Sequence, residues 1–283
     1  MSDQPLRLSG FADEISGDLA EQIRVCQATG VTDFELRSVD GTNVLDLKGD
    51  TRDTIRKQIQ DAGMGVVSIG SPCGKKPVDA GDDVLMDMFK TAIEQADFFE
   101  APFIRVFSFY PPGGEGQGDI EPHREKVIEL LQKQADLLES SGSDAVMVHE
   151  NEKGIYGDVG RRCVDLMQTI DSPKLRTAFD FANFVQCGEH PADNWPALKP
   201  FTTHIHIKDA KLDSGEVVPP GHGDGQLAEI LKDAYASGYR GHLSMEPHLK
   251  VAGHSHGETG PELWQTAVDA LRQVCESAGV PLA

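Results

Sequence analysis

The sequence predicts an α/β protein, one (β/α)8 barrel formed by residues 1–283 as a single domain. Three observations carry this expectation. Eight short apolar runs read as strands, helical patterns separate most of them, and 283 residues come close to the ~250 such a barrel uses. An open dinucleotide-binding sheet would need a GxGxxG turn after its first strand, and Gly10-Phe-Ala-Asp does not supply one.

The predicted strands are residues 6–11, 33–37, 65–70, 103–109, 145–150, 175–180, 201–208 and 241–246. They are rich in β-branched or aromatic residues and bounded by Gly, Pro, Asp or Asn. The first helix opens at Ser16 and gathers Leu19, Ile23 and Cys26 on one stripe. A second clear pattern, over 121–138, places Val127, Leu130, Leu131 and Leu138 at helical spacing. The last helix starts near Pro261, stops before Gly279, and sets Leu263, Ala267, Leu271 and Val274 on one face. The glycine-rich stretch 111–118 lacks a following Lys-Ser/Thr pair, so it reads as a loop at the barrel mouth and not a phosphate cradle.

Composition narrows the function. The net charge of −20, from 46 acidic and 26 basic residues, repels a phosphate backbone, so no nucleic-acid partner is expected. No apolar run nears the ~20 residues of a membrane span. The opening MSDQPLRLSG lacks the basic-then-apolar pattern of a secretory leader, and a cytoplasmic location is expected. Cys26, Cys73, Cys163, Cys187 and Cys275 are widely spaced with no CxxC pair, which fits isolated thiols in a reducing compartment.

The chemistry lies at the ends of the last four strands. Glu150 ends VMVHE, Asp180 ends RTAFD, His206 lies in THIHIKD and Glu246 in LSMEPH. They are separated by 30, 26 and 40 residues, about one strand–helix unit each. Adjacent strands lie about 4.8 Å apart, so four neighbouring strands surround one ion only if the sheet closes. Three carboxylates and one imidazole suit a single divalent ion: Mn²⁺ first, with Mg²⁺, Co²⁺ or Zn²⁺ as alternatives. Alternation along the strands turns His204, His206 and Lys208 inward together, with His242, Ser244 and Glu246, with Arg105, Phe107 and Phe109, and with Glu35 and Arg37. His149, His204 and His242 read as core or supporting groups, and His190, His222, His248, His254 and His256 as loop residues.

The ordered series HEN (149–151), DFAN (180–183), HIHIKD (204–209) and MEP (245–247) resembles the xylose isomerase-like TIM-barrel superfamily of sugar isomerases and epimerases. The resemblance runs from Phe11-Ala-Asp-Glu to Glu246. It implies that Glu150, Asp180, His206 and Glu246 ligate the metal, and that Glu150 and Glu246 are the catalytic acid/base pair. One glutamate would remove a proton beside a metal-polarised carbonyl and the other return one to the enediolate. Lys208, Arg105 and Asn183 would bind a sugar or polyol substrate. Family epimerases often carry His where this chain has Asn183, which can hydrogen-bond a hydroxyl but cannot shuttle a proton. Family members often associate, so a homodimer or homotetramer is expected.

Other readings share parts of this pattern. A dehydratase of the inosose or dehydroshikimate type would use the same site and expel a β-hydroxyl. An apurinic endonuclease would need extra histidines and a basic groove, which DFAN, the third and fourth strands and the charge of −20 do not offer. A non-catalytic sugar-binding barrel would have no use for the paired Glu150 and Glu246.

Overall fold

The computed structural model describes residues 4–250 and 257–283, so His254 and His256 lie outside the described residues. Among these, eight parallel strands close into a barrel: β1 (Arg7–Gly10), β2 (Val31–Leu36), β3 (Gly65–Ile69), β4 (Phe103–Val106), β5 (Val146–Glu150), β6 (Leu175–Asp180), β7 (Thr202–Ile207) and β8 (His242–Met245). Each pairs with its sequence neighbours, and β1 closes the ring on β8 with Arg7 opposite His242 and Gly10 opposite Met245. A parallel strand cannot turn straight back, so helices cross over between strands and cover the outside.

The strands expected at 145–150 and 175–180 end where predicted, and the other six run too long toward their C-terminal ends. Residues 37, 208 and 246 fall just past the ladders, where the chain turns into the loops of the mouth. The largest difference is at 103–109, where β4 stops at Val106. The Phe107 amide bonds to the Cys73 carbonyl at 2.8 Å instead of continuing the ladder, and Phe109 takes φ 64°. Phe107 and Phe109 therefore do not continue the inward face of Arg105. Gly74 permits this detour, for a Cβ there would lie 2.0 Å from the Phe107 oxygen.

The helices begin and end where local chemistry directs. Helix α1 (Leu19–Ala28) starts at Asp18, whose carboxylate accepts the Glu21 amide at 2.8 Å. The stretch predicted from residue 121 opens as a short 3-10 turn, Glu121–His123, before the regular helix Arg124–Ser141. The last helix, Pro261–Ala278, ends on Gly279 at φ 68°. Its buried stripe differs from expectation: Leu263 is exposed, and Trp264, Ala267, Val268, Leu271, Val274 and Cys275 face inward. Trp264 sets the rotation of this helix, because its fully buried indole lies against Gly10 at the barrel wall.

Two small antiparallel hairpins, Ser38–Val39 with Thr42–Asn43 and Asp209–Ala210 with Val217–Val218, were not expected from the sequence. The second is tied down by Asp209, whose carboxylate accepts the amides of Gly221, Gly223 and Gly225, each at 2.9 Å. No described helix is long and apolar enough to cross a membrane.

At Gly10 an added Cβ would lie 2.7 Å from Trp264 Cη2 and 2.9 Å from the Met245 oxygen. We expect Gly10→Ala to cost about 1–3 kcal/mol through overpacking. Urea denaturation measures it, and an unchanged midpoint would show that the indole can move aside freely.

Candidate metal and acid–base site

The strand ends bring the four expected ligands together. Glu150 and Asp180 close β5 and β6, His206 is the penultimate residue of β7, and Glu246 follows β8. One ligand atom from each lies within 4.8 Å of the others, and none of the four side chains is exposed. His206 Nδ1 is 3.4 Å from Glu150 Oε1 and 3.6 Å from Glu246 Oε2.

Cations surround these carboxylates. Lys208 Nζ lies 3.0 Å from Asp180 Oδ2 and 3.1 Å from Glu246 Oε2. Arg105 Nη1 donates to Glu150 Oε2 at 3.1 Å, stands 3.7 Å from Glu246 Oε1, and its Nη2 donates to the Gly70 carbonyl. Asn183 donates from Nδ2 to Glu150 Oε1 at 3.2 Å and to the Asn151 carbonyl at 2.8 Å. All three expected substrate-binding residues thus reach the site, but each already contacts a ligand residue.

The motifs acquire physical reasons here. In DFAN, the Asp180 side chain accepts the Asn183 amide at 2.7 Å and so caps the short helix Phe181–Gln186. In HEN, Asn151 exchanges two hydrogen bonds with the backbone of Asp180, at 2.9 and 3.0 Å, which locks the end of β5 to that of β6.

Several residues of this site were not singled out from the sequence. Arg37 donates to Asp13 at 2.8 Å and reaches Glu246 Oε1 at 3.4 Å. His248 lies in a loop as expected, but it is half-buried there, with Nε2 3.2 Å from Glu14 Oε1 and 3.5 Å from Glu246 Oε1. Alternation had turned Glu35 and Arg37 inward, so their signal was present. For His248 and Glu14 there was none, since both sit beyond strand ends where periodicity stops.

Burial and charge pull the ionisable groups in opposite directions. Burial raises the Asp180 carboxyl, Lys208 opposes it, and the charges of Glu150 and Glu246 help hold it at about 6. Burial also pushes Glu246 up, but Lys208, His248 and His206 outweigh it and keep it well below the usual range. Glu150 is likewise low, because His206 and Arg105 overcome burial and the charge of Glu246. Burial would lower His206, yet Glu35 and Glu150 carry it well above an ordinary imidazole.

The residues fit a divalent cation. Asp180 Oδ2 and His206 Nδ1 are buried without an aligned hydrogen bond, and the donor set of three carboxylates and an imidazole is one that hard or borderline ions accept.

Comparison with known proteins agrees with the barrel fold. Residues 23–274 match the family described as the xylose isomerase-like TIM barrel. The chain belongs to this family. A D-tagatose 3-epimerase-like protein superposes with TM-score 0.76 at 16% identity, covering 97% of this chain and 98% of that one. The probable 3-DHS dehydratase AsbF of Bacillus anthracis gives 0.73 at 16% identity, covering 94% and 99%. A xylose isomerase-like TIM barrel protein of Mycobacterium smegmatis, in complex with magnesium, gives 0.71 at 17% identity, covering 98% and 99%. In sequence, the uncharacterized protein YihM of Escherichia coli K12 is 39% identical over 49 residues, which span 17% of this chain and only 15% of that protein. At such identities the structural likenesses show a shared fold. A protein described as epimerase-like and a probable dehydratase thus share this fold.

A metal ion at these atoms must displace the protons held by Asp180, with its carboxyl at about 6, and by the raised His206. Both shifts are upward, so protons compete at low pH and the competition fades as pH rises. Apparent Mn²⁺ affinity should climb as pH rises through about 6, and go on rising while His206 gives up its proton, with net proton release. Calorimetry in buffers of different ionisation enthalpy reads both, and a pH-independent affinity would count against these ligands.

Proposed function

We propose that this chain is a single-domain, divalent-metal-dependent sugar isomerase or epimerase. Glu150, Asp180, His206 and Glu246 would hold one ion, Mn²⁺ first and otherwise Mg²⁺, Co²⁺ or Zn²⁺. When bound, that ion would polarise a substrate carbonyl and acidify the neighbouring carbon. The observation that carries the reading is the placement of Glu150 and Glu246. They come from β5 and the end of β8, with β6 and β7 between them, and converge on the same ligand cluster.

The chain's own groups then divide the work. His206 and Arg105 keep Glu150 ionised despite burial, and Lys208, His248 and His206 do the same for Glu246. An ionised carboxylate can take a proton from the carbon beside the carbonyl and then return it, and return from the opposite side would follow uptake of a solvent proton by the other carboxylate. Lys208 and Asn183, with donors at the same carboxylates, would orient substrate hydroxyls and support negative charge on the carbonyl oxygen. Arg105 would act chiefly by aligning the two glutamates. A cytoplasmic homodimer or homotetramer acting on a small sugar or polyol, without nucleic acid or membrane, completes the proposal.

One observation favours the second reading, a dehydratase on the same site. His248 Nε2 stands 3.5 Å from Glu246 Oε1, and Glu14 and Glu246 outweigh burial to raise its imidazole, which adds a candidate proton donor beside the site. Loss of a hydroxyl needs such an acid.

Incubating the Mn²⁺-loaded protein with ketoses and keto-polyols in D₂O separates the two. An epimerase yields an epimer carrying solvent deuterium on the carbon beside the carbonyl, an isomerase yields an isomer carrying it on the former carbonyl carbon, and a dehydratase yields a product one water lighter. Glu150→Gln and Glu246→Gln should each lower turnover about 10²–10⁴-fold while retaining the fold. Full activity in either variant would sink the acid/base assignment.

A further inference from the structure

One buried carboxylate near the candidate ligands is not used by the reaction. Glu35, on β2, is 1% exposed and meets the edge of the His206 ring opposite Glu150 and Glu246. His206 Nε2 lies 3.1 Å from Glu35 Oε2, while Nδ1 faces the other carboxylates. Two strands, β1 and β8, separate β2 from β7 around the ring, so this contact crosses the barrel interior.

Glu35 is itself held from three strands. Ser68 on β3 donates to Oε1 at 3.0 Å, Ser244 on β8 donates to Oε2 at 2.7 Å, and His204 Nε2 on β7 meets Oε2 at 2.8 Å. The His206 ring is also wedged: Phe11 packs against it edge-on at 5.4 Å and 83°, and His204 at 5.2 Å and 86°. Burying a carboxylate costs several kcal/mol unless it is paired and hydrogen-bonded, and well-packed apolar groups would fill a barrel floor as well. A charge kept in this place calls for a purpose beyond packing.

We propose that Glu35 is the positioning residue for His206. Its Oε2 faces Nε2 at 3.1 Å, close but not aligned as a hydrogen bond, and its charge would keep the ring proton on Nε2, leaving the Nδ1 lone pair directed at the space shared with Glu150, Asp180 and Glu246. Its negative charge makes that nitrogen a stronger donor to a cation. The inference rests on the metal reading of His206 given above.

The test compares Mn²⁺ binding by calorimetry in the wild type, Glu35→Gln and Asp33→Asn. Asp33 lies on the same strand but pairs with Arg7 and His242, away from the ligands, so its variant controls for lost stability. Glu35→Gln should weaken binding about 10–100-fold, and Asp33→Asn should leave it within about threefold of wild type. Ring ¹⁵N spectra of the Zn²⁺-loaded wild type should place the His206 proton on Nε2, a readout that remains decisive if Glu35→Gln fails to fold. Wild-type affinity in a folded Glu35→Gln, equal loss in Asp33→Asn, or a proton on Nδ1 would overturn the role of Glu35. A wild type that holds neither ion would instead overturn the metal reading on which it rests.

Discussion

Like charge at the barrel mouth is the constraint from which the rest of this structure follows. Glu150, Asp180 and Glu246 are buried within one ion's reach of each other. At 4 Å two such charges repel by roughly 4 kcal/mol for an effective dielectric near 20, and each also loses its hydration. The chain answers with Arg105, Lys208 and Arg37, whose charged ends lie 3.0–3.7 Å from those carboxylates, and with His206 in their midst. Even so, Asp180 retains an upward shift that the protein groups do not cancel. A divalent cation would relieve it directly.

Closure of the sheet makes this concentration of charge possible. Each ligand is delivered by the end of its own strand, and each strand is fixed by two parallel neighbours. The loops are then secured by single side chains acting as multiple acceptors. Asp209 gathers three glycine amides beyond β7. Glu14 accepts the His248 amide and the Thr259 hydroxyl, and so ties the segments on either side of 251–256 to the end of β1. Aromatic packing contributes to the electrostatics: the Arg37 and Arg105 guanidiniums each stand over the Phe11 ring at 4.6 Å from its centroid, within reach of a cation–π attraction.

The barrel was legible in the sequence because strand and helix periods differ, and eight alternations nearly exhaust 283 residues. The ligand cluster was legible because four acidic or imidazole residues end consecutive strands at one-unit spacing. Strand termini were less so. Val106 and Phe107 look alike to a propensity argument, and only the Cys73 carbonyl decides that the ladder stops between them. Leu263 and Trp264 could both face inward by helical spacing, and the gap at Gly10, invisible in one dimension, chooses the indole. His248 and Glu14 remained hidden because their pairing joins opposite ends of the chain through loops without a period. Lys208, Arg105 and Asn183 were found as inward or mouth residues, but their partners among the carboxylates depend on distances that no spacing encodes.

The central claim is that these four side chains form one metal site. Metal content after Mn²⁺ loading and desalting, for wild type beside His206→Ala, tests it most directly. The account predicts about one retained ion per wild-type chain and little or none in the folded variant. A wild type that retains no metal, or a variant that retains it fully, would contradict the account.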